Sequence, residues 1–500
     1  MGMKKLKMDS VRQYLLLCSI ALFLFEGRTL AQSGESRISA PLQQILESTS
    51  PEETELVWIT FRDKGGAEQR LGEARDLLSP QALDRRARRG LTQSLVNVED
   101  VPPVPEYVRA VRQRVTRFRQ VSRWFNAVSA EANEAQIASI AALPFVHRID
   151  IVRRYRRGEP ELSVPTGGSR STATRGQTQK QLRIDYGTSF GQLEQIQVPA
   201  VHNLGFHGEG VVIALFDTGF KGLDHEALAH LDIAARWDFV NGDQTVSNNR
   251  DRGDGSHGTA VLSAVGGLQE GELVGPAFAA TFLLAKTEDT ESETPVEEDN
   301  WAAAAEWAEA LGADIISSSL GYLDFDVPYP SYTYEDMDGR TAITTRAAQK
   351  AAQRGVVVLT SAGNEGFNGS HNTLGAPADG RLVLAVGAVD AFDNRADFSS
   401  VGPTADGRIK PDIMAQGVLV KTASPRQPDQ YRFSDGTSFS CPLSAGVAAL
   451  VLQAHPDWTV RDVRSVLRST SGNANTPNRT MGWGILDALA AVRARRPGQQ

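Results

Sequence analysis

Cysteine is scarce: the 500 residues hold two, Cys18 and Cys441. Cys18 falls in a segment read below as removed, so the mature chain would carry a single thiol and no internal disulfide. The compartment must then be read from other signals. Positive charge is also in deficit. The formal net charge is −8, which argues against a nucleic-acid binder. Past the N-terminal segment, no apolar run reads as long enough to cross a bilayer. Several catalytic signatures are missing as well. Asp-Thr-Gly occurs once, at Asp217, whereas an aspartic protease needs two such carboxylates. In His225-Glu226-Ala227-Leu228-Ala229-His230 the histidines stand five apart, roughly 140° out of line at about 100° per residue, so a zinc-binding helical pair is excluded.

What is present reads as a globular protein, 41% hydrophobic and 22% charged, long enough for two domains plus processing segments. Lys4, Lys5, Lys7 and Arg12 precede an apolar run at 14–25 that is too short to span a bilayer. Thr29-Leu30-Ala31 offers a small-residue cleavage signal. Residues 1–31 are therefore predicted to be a secretory signal peptide, with an uncleaved anchor as the alternative, and the mature protein to be secreted or periplasmic. Charge is uneven: residues 61–160 hold 19 basic against 12 acidic residues, a net of +7, so the remainder carries −15.

After a polar stretch, residues 56–61 read as a strand and 81–89 as a helix with Pro80 at N1 and Gly90 at its end. Residues 107–114 and 133–142 read as further helices, the second capped by Asn133, and 124–128 and 146–152 as strands. This small α+β unit, assigned to 32–157, shows no obvious chemistry. Residues 158–180, rich in Gly, Ser, Thr, Pro and Arg, mark a linker, drawn to 189. From 190 to 500 the pattern changes. Apolar runs at 211–216, 281–285, 315–319, 356–361 and 382–386 suit strands buried on both faces. Helix patterns at 301–311, 341–354, 460–467 and 486–492 alternate with them. The expected fold class is α/β, a doubly wound, mainly parallel sheet preceded by the α+β unit. In such sheets working residues gather at the carboxyl ends of strands. Asp217 and Ser361-Ala362-Gly363-Asn364 fall there.

Asp435-Gly436-Thr437-Ser438-Phe439-Ser440-Cys441-Pro442 leads into an apolar segment, 445–452, suited to a buried helix. Gly436 frees a sharp entry, and Pro442 is expected in the first turn, where its missing N–H costs nothing. Thr437 or Ser438 would serve as an ordinary N-cap. A serine there also sits in a partly positive field beside free N–H groups that can bind an oxyanion. It then needs a base and a group to orient that base. His257, between Ser256 and Gly258-Thr259, supplies the base, with Gly258 leaving room for another group. Asp217 supplies the acid, and the Asn364 amide a further oxyanion donor.

Together these segments resemble the subtilisin-like serine protease family, the subtilases. Asp217-Thr218-Gly219, His257-Gly258-Thr259 and Gly436-Thr437-Ser438 occur in the family's order, and Asn364 sits in the matching Gly-Asn context. The resemblance runs from about 190 to 495 and includes Gly482-Trp483-Gly484-Ile485-Leu486-Asp487-Ala488. His257 disfavours the sedolisins, which place a glutamate there. The front unit, with Ser122-Arg123-Trp124-Phe125-Asn126-Ala127-Val128, is similar to a subtilase prodomain.

The resemblance implies a secreted serine endopeptidase made as a self-processing zymogen. Ser438 would be the nucleophile, His257 the base and Asp217 its orienting acid, with Asn364 and the Ser438 N–H binding the oxyanion. Ser319, Leu320 and Gly321, with Ser361, Ala362, Gly363 and Gly375, would line the substrate site. Gly375 near the pocket floor would leave it deep enough for large apolar side chains. The chemistry requires no cofactor; structural calcium is common in the family, but no ligands are assigned. The expected partners are protein or peptide substrates and the chain's own prodomain, with no nucleic acid, and no membrane after signal removal. The acidic segment 288–299 departs from the family pattern. It is read as a solvated loop or as a rim that attracts basic substrate residues or calcium. The competing functions are a catalytically silent binding protein on the same fold and a narrow basic-site processing protease.

Overall fold

A computed structural model describes residues 36–89, 91, 94–152, 183–247, 255–288, 297–323 and 331–498. The segment expected to be a signal peptide, Gly90, most of the linker and residues 289–296 of the acidic segment lie outside them.

The front unit is a four-stranded antiparallel sheet of β1 (Glu55–Phe61), β2 (Arg117–Ser122), β3 (Ala127–Ala132) and β4 (Val146–Ile151), in the order β2-β3-β1-β4. Ser79 caps helix α1 (Pro80–Arg88), with Pro80 at its start, and Asn133 with Gln136 forms a capping box on the helix Glu134–Ala141. Two expectations are corrected. The strand expected at 124–128 is a hairpin turn up to Asn126, whose φ of 50° is left-handed. The strand before it, β2, reads Arg-Phe-Arg-Gln-Val-Ser and is half-exposed, so hydropathy hides it. The polar stretch at the front also holds a helix, Ala40–Ser48, which buries only Leu42 and Ile45.

The main body is built on a seven-stranded parallel sheet. Its strands are β5 (Val212–Asp217), β6 (Asp232–Asp238), β7 (Thr281–Lys286), β8 (Ile315–Ser318), β9 (Val357–Ser361), β10 (Leu384–Val389) and β11 (Ile413–Gln416). The order is β11-β10-β9-β8-β5-β7-β6. The chain builds outward on one side of β5 through β6 and β7, then on the other from β8. The order therefore reverses between β5 and β8, and ligand sites of such sheets open at that point. Every strand but the edge strand β6 is almost wholly buried, which is why most of them read as apolar runs. Ile184 and Tyr186 pack on this core, so the end of the stretch drawn as linker belongs to the body.

Four helices matter most: α2 (Ser256–Gly266), α3 (Glu297–Leu311), α4 (Ile343–Gln353) and α5 (Thr437–Ala454). Helix α5 packs on β8, β9, β10 and β11 and against α2. Its mean hydropathy of 1.3 over 18 residues is high enough for a membrane span, contrary to the expectation that no later segment is. It is instead a core helix, 89% buried inside the body.

The two units meet through α3. Glu306 accepts the N–H groups of Arg123 (3.0 Å) and Trp124 (3.2 Å) at the front unit's hairpin turn, and the Ser122 hydroxyl donates to it. One turn further, Glu309 pairs with Arg85, with Arg86 at 2.8 Å and with Arg123 at 3.1 Å. Arg86 also holds Asp100, which Arg354 of the body grips from the other side. Arg89 binds Asp314 at 2.6 Å. Burial alone would raise the Glu309 carboxyl, but Arg85, Arg86 and Arg123 hold it below the ordinary carboxylate range. The acidic segment is corrected here too. Glu288, Glu297, Glu298 and Asp299 are buried, so they are neither a solvated loop nor an open rim. Tyr322 donates to Glu288 at 2.6 Å, Tyr332 to Glu298 at 2.9 Å, and Ser129 of the front unit to Asp299. Helix α3 begins at Glu297, four residues earlier than expected, with this acidic turn at its positive end.

Removing the Glu309 charge leaves Arg85 without its anion and takes one of two anions from Arg86 and from Arg123. Glu309→Gln should destabilise the full chain by about 3–5 kcal/mol, the cost of breaking a buried pair on one side. A lower midpoint for the first urea transition would show it; an unchanged midpoint would mean that docking does not depend on this network.

Asp299 gives a pH signature. Burial pushes its carboxyl from 3.8 up to about 6, against the opposing pull of Arg119 and Ser129. A carboxyl with a higher pKa when folded favours folding at low pH, and that contribution is lost as pH rises through about 6. Asp299→Asn should flatten the stability curve between about pH 4 and 6 and raise stability above it. Urea titrations across that range test both.

Candidate active site

Asp217 is the last residue of β5, and His257 is the second residue of α2. His257 Nδ1 lies 2.7 Å from Asp217 Oδ1. Thr218 donates its N–H to the same oxygen at 2.8 Å and its hydroxyl at 3.3 Å. Asp217 is fully buried and His257 is 8% exposed, so this carboxylate acts on the imidazole with little solvent screening. Gly258 allows the approach. A Cβ there would stand 2.2 Å from the Gly219 carbonyl oxygen and 3.0 Å from Asp217 Cβ.

Ser438 is the second residue of α5, and Phe439 beside it lies 5.6 Å, ring to ring, from His257. The helix has no side-chain cap, because its N-cap is Gly436 with φ 135°, a conformation that favours glycine. Asn364 supplies the missing acceptor. Its Oδ1 takes the Thr437 N–H at 3.0 Å and the Thr437 hydroxyl at 2.9 Å. With the carbonyl pinned this way, the amide Nδ2 must face away from Thr437. Asn364 itself is exposed, at the mouth of the site.

Pro442 is the sixth residue of α5, not part of its first turn as expected. It cannot donate to the carbonyl of Ser438, four residues back. The Ser319 hydroxyl fills that gap, donating to the Ser438 carbonyl at 2.7 Å. In return the Ser438 hydroxyl donates to the Ser319 carbonyl at 3.1 Å. The proline thus ties the serine to the loop after β8.

The predicted wall residues converge. Ser361 Oγ donates to the Leu320 carbonyl at 3.2 Å, and the Gly375 N–H to the Ala362 carbonyl at 3.2 Å. Tyr322 and Ala376 exchange both backbone hydrogen bonds at 2.9 Å. Gly321 and Gly375 face each other beside this bridge; a Cβ on Gly375 would stand 3.3 Å from Gly321 Cα. Gly363, at φ 114°, turns the chain toward Asn364. Thr437 and Thr218 were missed as contributors. The signal for Thr437 was Gly436, a cap position without a side chain. His225 and His230 each bind a backbone carbonyl, of Gln430 and Phe278. Among the described residues no cluster of His, Cys, Asp and Glu converges on a metal position. Cys441 is buried behind the site, its thiol pushed up to about 12 by burial.

A carboxylate, an imidazole, a serine at a helix N-terminus and an oriented amide can together run acyl transfer through a covalent ester. The profile of the subtilase family matches residues 208–484, and that of a Peptidase S8 propeptide domain of Bacteroidota matches 56–164. Subtilisin NAT of Bacillus subtilis subsp. natto is 34% identical over 317 residues, 62% of this chain and 71% of that protein. Subtilisin of Bacillus pumilus is 33% identical over 314 residues, 62% of this chain and 99% of that protein. The solved structure of fervidolysin from Fervidobacterium pennivorans, a keratinolytic enzyme related to subtilisin, aligns with TM-score 0.65 at 20% identity. The alignment covers 90% of this chain and 63% of that one, and at this identity the likeness is one of fold.

Thr437→Val keeps one donor to Asn364 and loses the other. Turnover on a peptide substrate should fall by up to about 10²-fold, the lower end for losing an oxyanion donor, with KM little changed. A raised KM at unchanged kcat would instead place Thr437 in substrate binding.

Proposed function

The chain belongs to the subtilase family, and from that premise we propose that it is a secreted, self-processing serine endopeptidase whose triad is Asp217, His257 and Ser438. Members of the family are serine endopeptidases that need no cofactor for the chemistry, and this chain is one, with a propeptide domain in front. The observation that carries the residue assignment is the 2.7 Å contact of His257 with a fully buried Asp217, beside the helix that bears Ser438.

In this reading Ser438 Oγ attacks the scissile carbonyl while His257 takes its proton. The carbonyl π electrons move to oxygen, and Asn364 Nδ2 with the Ser438 N–H holds the resulting charge. Asp217 stays ionised and stabilises the imidazolium. Collapse expels the amine, which takes its proton from His257. Water, deprotonated by His257, then cleaves the acyl-enzyme and restores the serine. The Tyr322–Ala376 bridge sets Gly321 beside Gly375, and two glycines there are consistent with a preference for large apolar side chains.

Residues 32–157 are proposed to act as folding aid and inhibitor, with the maturation site in the linker ahead of Ile184 and the peptidase domain after it. The buried ionic docking on α3 supports this: the positive front unit engages carboxylates of a negative body. The proposed substrates are proteins or peptides, and the proposed location is outside the cytoplasmic membrane.

The precursor carrying Ser438→Ala should stay uncut when no other protease is present, while wild type sheds the front unit. Added back in trans, that unit should inhibit the mature enzyme. Near-normal peptidase activity in Ser438→Ala would sink the triad. An active wild type that keeps residues 32–180 attached would sink only the prosegment reading.

A further inference from the structure

Helix α6 (Val460–Ser469) carries Arg461, Arg464 and Arg468 at i, i+3 and i+7, one face of a helix. That face lines a surface pocket of about 480 Å³, completed by Ser465, Asn475 and Trp483. None of these residues belongs to the site above. The only carboxylate on the helix, Asp462, is turned away, to Thr459 and to Arg496 at 3.0 Å.

The positive charge in the pocket is not neutralised. Behind it lies one buried carboxylate, Asp412. Lys410 holds Asp412 Oδ2 at 2.7 Å, and Ala385 donates its N–H to that oxygen at 2.9 Å. Arg468 contacts Oδ1, and Arg464 reaches it only at 3.5 Å. Among the described residues one anion therefore faces three cations, and exposed Arg461 adds a fourth that makes no ion pair. The Nε–H groups of Arg464 and Arg468 are buried and have no acceptor among the described residues. The Arg468 guanidinium stacks 3.7 Å over the Trp483 ring, which fixes its plane. Guanidinium forks held in fixed planes, with hydroxyl and amide donors beside them, match a compact group that carries several acceptor oxygens and more than one charge.

We infer that this pocket is a binding site for a phosphate or sulfate group, as the free ion or as a monoester. A carboxylate would offer a single charge and two oxygens to a pocket with surplus charge on both sides.

The test is calorimetric titration of the full chain, carrying Ser438→Ala to prevent self-cleavage. The probes are inorganic phosphate, inorganic sulfate and phenyl phosphate, with sodium chloride at matched ionic strength as control. Saturable one-to-one binding of phosphate and sulfate, absent with chloride, is expected. Tighter binding of phenyl phosphate would identify the ester as the preferred form, and equal binding the free ion; both support the site. Arg461→Gln removes an exposed cation that takes no part in holding Asp412, so the fold should keep its urea midpoint while affinity falls about tenfold. Arg461→Gln with Arg464→Gln should abolish binding. Heats no different from chloride, or an affinity unchanged in the double variant, would overturn the inference.

Discussion

The hydrogen bond from the Thr437 N–H to the Asn364 carbonyl is the contact on which the geometry of the site depends. A helix start leaves several N–H groups without partners, and here the cap position is a glycine that can satisfy none of them. Borrowing the cap from another loop has a consequence for chemistry. The carboxamide that accepts from Thr437 can point its donors in one direction only, and the next N–H along, that of Ser438, stays at the helix tip. The same logic recurs one turn later. Pro442 frees the Ser438 carbonyl, and Ser319 captures it. Ser438, the proposed nucleophile, is thus anchored on both sides by the segments that follow β8 and β9, adjacent strands of one sheet.

The contact between the two units follows a different rule. Its centre is charged and dry, and burying charges costs nearly as much as pairing them returns. Such a surface confers orientation and partner choice more than raw affinity. That suits the propeptide role proposed for the front unit, which calls for docking in one way. The opposed shifts within α3 express the balance. Glu309, met by three arginines, is held ionised, whereas burial lifts Asp299 and Glu306 despite their partners.

Much of this could be read in the sequence because burial on both faces writes itself as apolar runs. The strands β5, β7, β8, β9 and β10 were all legible, and so were the caps at Ser79 and Asn133. The edge strand β6 and the polar strand β2 were not, because half-exposed strands carry no such run. The catalytic candidates were legible as motifs, since close approach to the Gly219 carbonyl demands glycine at 258 and a φ of 135° favours it at 436. Thr437, Thr218 and Ser319 could not be assigned their contacts, because a hydroxyl's partner depends on what the fold brings near it. The acidic stretch at 297–299 misled for the same reason: composition suggests solvent, and only the docked sheet supplies Ser129.

Net charge also describes a protein poorly at the scale where ligands bind. A chain at −8 overall argues against a nucleic-acid partner, because such a partner samples an extended surface. A phosphate-sized group samples only its immediate surroundings, since charges beyond a Debye length of about 8–10 Å are largely screened. Within that radius the face of α6 presents guanidinium groups around a single saturated carboxylate. The overall charge and the local pocket are therefore not in conflict.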